Sequence, residues 1–527
     1  LTLQAKRDIN IYNTTIQSGG QPLSLIFTSA GNGVGAIEVS FSTINTAGGS
    51  LTLQGALAQQ MPLPDGSFTA ATHRAAVGYD PASAPWQTRL GNPTLAVHVL
   101  SSNIDLGAGT FSATGLSDSL GGVYVESDAR ITAARVQLSG WTSSGGSGLA
   151  GVTIEGTGTN IEATRSMELE GAGNIGVLLH PGAQVLLNAP LDPTATFSIK
   201  GMGAIYGVSI LDGSNDPVEP TRGTPVRVVG GQLNITGRSL GQGVGLSVAG
   251  VAANLVPSEP TLDLATASGA TIGDVGPGNG TLITAARIAG PVTGLTTLSS
   301  EAKIFMNTVA ISGGGTFNLS APLVSLNDTS VHFANAATMN LHFATTGSSP
   351  LGVGITNSSI FTGGGDVRFG AQQVVCSTAL GCSADGGFWL ESASGSSGLS
   401  VSSTTIDAGS GRIFGGAAAH SSASGAGLSL SGGSLSAGEI NLSGRSDLGQ
   451  GINFSGVEGA AVASLSLNGL ATSDGVQLTN THLSAPTLSL QGRSVFDGHG
   501  VVVGDNPGPN STPVSLSATQ LTISGQS

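Results

Sequence analysis

The chain has 527 residues, 83 of them glycine, with only 9% charged side chains, a net charge of −14 and a pI near 4.8. Its only lysines are Lys6, Lys200 and Lys303, so it lacks the basic stripe that a phosphate backbone requires, and nucleic acid is excluded as a partner. No apolar run approaches the ~18 residues of a membrane span, yet 39% of residues are hydrophobic, enough to build a core rather than remain disordered.

The chain opens on an alternating strand, Leu1-Thr2-Leu3-Gln4, and alternation recurs at Ile37-Glu38-Val39-Ser40-Phe41. A first interruption runs from Gln59 to Pro93. Prolines at 62, 64, 81, 85 and 93 cannot sit in a strand ladder. This stretch also holds His73, Arg74, Tyr79, Trp86 and Arg89, residue types that carry recognition energy, and is the expected binding insertion. Short units ending in glycine follow at Val136–Gly140, Met167–Gly171 and Phe197–Gly201. Trp141, directly after one such glycine, is expected at a turn.

A second interruption, 212–225, collects Asp212, Asp216, Glu219 and Arg222 among three prolines. It is the best local carboxylate cluster, set against a plain reading as a proline-stiffened loop with Asx turns. Then Gly237-Arg238-Ser239, a short gap, a Gly-x-Gly and an alternating apolar run appear together. The same sentence returns at Gly444-Arg445-Ser446 and Gly492-Arg493-Ser494, with a looser copy at Leu465–Gly469. A strand–turn–strand unit at a spacing of roughly 20–35 residues implies a stacked solenoid.

His332 and His342 each sit between two apolar residues, so both should face away from the core. Their matched tripeptides suggest neighbouring strands. Cys376 and Cys382 lie in a third interruption, 376–389. The pair suggests a disulfide-closed loop in an oxidising compartment, against a reduced pair or half a metal site. The chain ends in another strand, Leu521–Gly525, and reads as a segment of something longer.

With strand signals throughout and no convincing amphipathic helix, the expected fold is all-β: one elongated parallel β-helix over 1–527 with extra-helical insertions near 59–93, 212–225 and 376–389. Catalysis, a metal or a cofactor is not expected, because acidic residues are few and mostly isolated.

At Ala5-Lys6-Arg7-Asp8-Ile9-Asn10-Ile11, followed by Asn13-Thr14-Thr15-Ile16, the sequence resembles a rung of the filamentous-haemagglutinin-like exoproteins of Gram-negative two-partner secretion. The later Gly-x-Gly-Val-x-Leu units are similar to these and to autotransporter passengers. The resemblance implies an extracellular, right-handed β-helical stalk and an outer-membrane secretion partner. It also implies adhesion to a host or neighbouring-cell receptor or glycan. The secretion-domain Asn-Pro-Asn motifs are not matched by Asn92-Pro93-Thr94-Leu95 or Asn506-Pro507-Gly508. The expected role is a non-catalytic surface adhesin or filament segment that can stack end to end. A ligand-capture protein using 59–93 and a polysaccharide-degrading β-helix enzyme are the alternatives.

Overall fold

A computed structural model describes the chain except for residues 6–7, 30–35, 56–94, 118–120, 143–149, 212–223, 251–258, 277, 334–339, 346–350, 371–373, 378–380, 385–389, 394–395, 421–424 and 505–512. The described residues form strands and turns with no α-helix, and no helix is long and apolar enough to cross a membrane. They fall into two compact units, Leu1–Ala289 and Gly290–Ser527.

In the first unit the chain winds so that each strand lies parallel to the strand one coil later. Thr2–Ala5 pairs with Leu25–Ser29, Ile9–Tyr12 with Ile37–Ser40, and Thr15–Gln17 with Thr43–Asn45. Three strands thus complete one coil. Further along, two strands fuse around a bulged corner. Arg130–Thr142 pairs with Asn103–Asp105 through its first residues and with Thr110–Ser117 through its last, and the register breaks between Ala133 and Arg135. The second unit repeats the scheme: Leu295–Ser299, Thr316–Ala321, Asn340–Thr345 and Val367–Phe369 stack in order. This connectivity fits a parallel β-helix.

Alternation decides what is inside. Phe111, Val136, Met167, Phe197 and Leu233 occupy one register position on successive coils, and all are buried. Phe343 stacks on Phe369 one coil later, with ring centroids 5.1 Å apart and planes 14° from parallel. Burying one large side chain contributes about 1.5–3 kcal/mol, so a column of them holds successive coils together.

The glycines of the repeated motif form two facing ladders. Gly115, Gly140, Gly171, Gly201 and Gly237 share one register position. Each lies against the returning strand: a Cβ on Gly140, Gly171, Gly201 or Gly237 would overlap the carbonyl oxygen of Gly151, Gly176, Gly207 or Gly245. The second unit does the same with Gly444, Gly469 and Gly492 against Gly451, Gly475 and Gly500. These glycines do not end strands; they let two backbones of one coil touch. Trp141 is therefore not at a turn. Its strand runs on to Thr142, and the indole is 4% exposed.

Corners stack as well. Asn13, Phe41 and Ser101 adopt left-handed φ values of 46°, 51° and 45°, and each donates its N–H to a carbonyl of the next coil. The residue after each corner is Thr14, Ser42 or Ser102, whose hydroxyl donates to the carbonyl two residues back. The same hydroxyls accept from the preceding coil: Thr14 N–H to Ser42 Oγ, and Ser42 N–H to Ser102 Oγ, both 3.1 Å. Thr329, Ser358 and Thr404 rebuild this ladder in the second unit.

Candidate functional site

Because side chains alternate, every strand also carries an outward row, and coil stacking brings distant residues together on it. On the outer face of Ile37–Ser40, Leu95–Leu100, Gly121–Glu126 and Ala150–Glu155, register places Glu38 beside His98, and His98 beside Tyr124. His98 is 5% exposed although its position points away from the apolar core. Its Nε2 lies 2.9 Å from Glu126 Oε1, and its ring meets Tyr124 edge to face at 5.8 Å.

This cluster splits its carboxylates. The hydrogen bond from His98 holds Glu126 below the usual carboxylate range. Burial pushes Glu38 up, opposed by the nearby His98, and Glu38 Oε1 is buried with no hydrogen-bond partner among the described residues. Burial, reinforced by the Glu155 carboxylate it hydrogen-bonds, pushes the Tyr124 phenol well above its ordinary range. A carboxyl favouring its proton near one favouring its charge is the arrangement general acid–base chemistry uses. No group of three or more potential ligands among the described residues could hold a metal ion.

A second feature lies on the same unit, on the outer face of Arg130–Thr142, Asn160–Leu179, Thr196–Leu211 and Gln232–Ser239. One outward row runs Ser139, Glu170, Lys200, Thr236; the next runs Trp141, Ala172, Met202, Arg238. Between them is a groove of about 200 Å³. Lys200 Nζ bridges to Glu168 Oε1 at 3.2 Å. Burial raises the Glu170 carboxyl, opposed by Lys200 and reinforced by Glu168. Trp141 Nε1 is buried without a hydrogen-bond partner among the described residues.

The residues singled out from the sequence fall unevenly. His73, Arg74, Tyr79, Trp86 and Arg89 lie outside the described residues, as do Asp212, Asp216, Glu219 and Arg222. Cys376 and Cys382 stand directly opposite each other in an antiparallel hairpin of Val374–Ser377 and Gly381–Ala384, apart from the parallel ladders. Opposed antiparallel positions hold Cα atoms ~4.5–5.5 Å apart, within disulfide reach. His332 and His342 do face outward, but on different ladders. His332 stacks on Phe361 at 5.3 Å, whereas His342 registers against Asn318 and Arg368. Arg445 and Arg493 share a column with Leu470 between them, so they do not form a continuous arginine row.

Neither the Glu38–His98–Glu126 cluster nor the groove was singled out in the sequence. The usable signal is positional: an outward residue, found again at the same place in the next coil. Tyr124 against Thr153 and Glu126 against Glu155 show it, and His98 follows Glu38 one coil later, with Thr43–Asn45, Leu51–Gln54 and the 59–93 interruption between them. Compared with known proteins, the chain matches no family model, no curated protein and no solved structure.

Proposed function

We propose that the chain is a right-handed parallel β-helical segment of a secreted bacterial surface adhesin, non-catalytic, that works by display and contact. The observation that carries this reading is the repetition of one coil plan in both units, glycine ladder for glycine ladder and corner for corner. A stack of equivalent coils has no central pocket, and its usable surface is its outer faces. The rung at Ala5–Ile16 supports the filamentous-haemagglutinin-like class, with an outer-membrane secretion partner. The contact is a receptor or glycan on a host or neighbouring cell, and coil edges support end-to-end association. The experiment is retention of the labelled chain on epithelial and bacterial cells. Saturable retention is expected, and none at micromolar protein would sink the reading.

One observation favours a second reading, a polysaccharide-degrading enzyme: two carboxyls beside one buried His98, with Glu38 shifted up by burial and Glu126 shifted down by its hydrogen bond to His98. Size chromatography of acidic and neutral polysaccharides incubated with the protein separates the two readings. Shortening that disappears in Glu126→Gln would establish catalysis, and intact chains would remove it.

A further inference from the structure

We propose that the groove between the Glu170 and Trp141 rows is a binding subsite for one neutral hexopyranose ring of a glycan. The inference rests on the contact-and-display reading and names the ligand class of one outer face.

Four observations lead there. The groove offers donors and an acceptor side by side: Trp141, Lys200 and Arg238 carry N–H groups, Glu170 carries a carboxylate, and Thr236 can do both. Its surface between them is largely apolar, with Met202 contributing. The indole N–H of Trp141 is buried in a residue 4% exposed and meets no acceptor among the described residues, and a buried N–H left unpaired favours an incoming oxygen. Finally, the charges around the groove balance: Glu168 and Glu170 stand against Lys200 and Arg238, with Lys200 bridged to Glu168 and Glu170 beside Lys200 in register.

A pyranose ring suits this set. Its hydroxyls both donate and accept, and its C–H face is apolar. A small anion would meet the carboxylates of Glu168 and Glu170. A purely apolar ligand would desolvate Lys200 and Glu170 without replacing their water. The volume of about 200 Å³ suits one ring rather than a longer segment, so neighbouring sugars would project along the outer face.

The test is saturation-transfer NMR on the full chain with the methyl glycosides of β-galactose, β-glucose, α-mannose and β-N-acetylglucosamine. At least one is expected to bind with a dissociation constant of about 1 mM. Glu170→Ala, a half-buried surface change, should weaken it about tenfold, as loss of a charged hydrogen-bond partner does. Trp141→Phe keeps an aromatic ring, removes the N–H and should weaken it similarly. Glu162→Gln, outside the groove, should leave it unchanged. Failure of all four glycosides to bind would overturn the proposal. So would binding that persists unchanged in a folded Glu170→Ala chain. Loss of sugar binding in Glu170→Ala with cell retention intact would keep the subsite and place the main cell contact elsewhere. Loss of cell retention in the parent chain alone would strike the adhesin reading and not this site.

Discussion

Gly444 and Gly451, on the two sides of one coil, touch through their backbones: a Cβ on Gly444 would overlap the Gly451 carbonyl oxygen, far inside the 3.0 Å that real Cβ contacts respect. Both glycines are therefore required by contact rather than by turn geometry. Gly444→Ala pushes against backbone, which cannot rotate away as a side chain can. It should cost at least ~3 kcal/mol, the upper end of over-packing penalties. Gly354→Ala meets nothing within 4 Å and should be near neutral. Thermal melts of the two variants check the contrast, and equal melting temperatures would refute the contact argument.

Ser42 and Ser102 extend the argument from glycine to hydroxyl. The Ser102 hydroxyl donates to the Leu100 carbonyl at 2.8 Å and accepts the Ser42 N–H at 3.1 Å. Both serines are fully or nearly fully buried. Ser102→Ala strands a buried N–H on the preceding coil and should cost about 1–3 kcal/mol. Thr404→Val, which removes the acceptor for Ser358 N–H with little change of shape, should cost a similar amount in the second unit. Urea midpoints measure both. An unchanged midpoint in either variant would mean that the hydroxyl ladder is not structural.

Phe41 breaks the corner rule. It takes a left-handed φ of 51°, where a bulky residue is strained by about 1–2 kcal/mol. It is 51% exposed, and its ring meets Tyr12 edge to face at 5.8 Å, a contact that contributes about 0.5–1.5 kcal/mol. The two terms nearly cancel. Phe41→Asn, which copies the residue at the equivalent Asn13 corner, should change stability by less than ~1 kcal/mol, against the ~3–5 kcal/mol of a buried phenylalanine lost. A larger loss by chemical denaturation would show that the aromatic pair anchors the corner.

Much of the fold was legible because two signals are local. Alternation assigns strands such as Ile37-Glu38-Val39-Ser40, and the glycine sentence marks equivalent places on successive coils. What those glycines do was not legible. A glycine after an alternating run reads as a stop and Trp141 as a turn residue, although the close approach of Gly140 to Gly151 is what requires glycine there. Matched tripeptides also misled. Val331-His332-Phe333 and Leu341-His342-Phe343 are close in sequence, but three strands make a coil here, so consecutive strands belong to different ladders. The Glu38–His98–Glu126 cluster needs the coil register, and 59–93 falls between its members.

His342 gives a pH dependence with a definite sign. Burial lowers its pKa, helped by the Arg368 guanidinium on the next coil and opposed by Asp366. The folded state therefore prefers neutral imidazole, while the unfolded chain protonates near its ordinary value of about 6.5. Where the unfolded state binds more protons, stability rises with pH. The contribution is thus fully present above about pH 6.5 and is lost as pH falls from there through the lowered folded value. His342→Gln cannot titrate, so the wild-type urea midpoint should fall relative to this variant between pH 8 and pH 5. Arg368→Gln removes the nearby cation and should shrink the difference. Parallel midpoints for wild type and His342→Gln across that range would show that His342 titrates as it does in the unfolded chain, and its place between Asn318 and Arg368 would then carry no electrostatic cost.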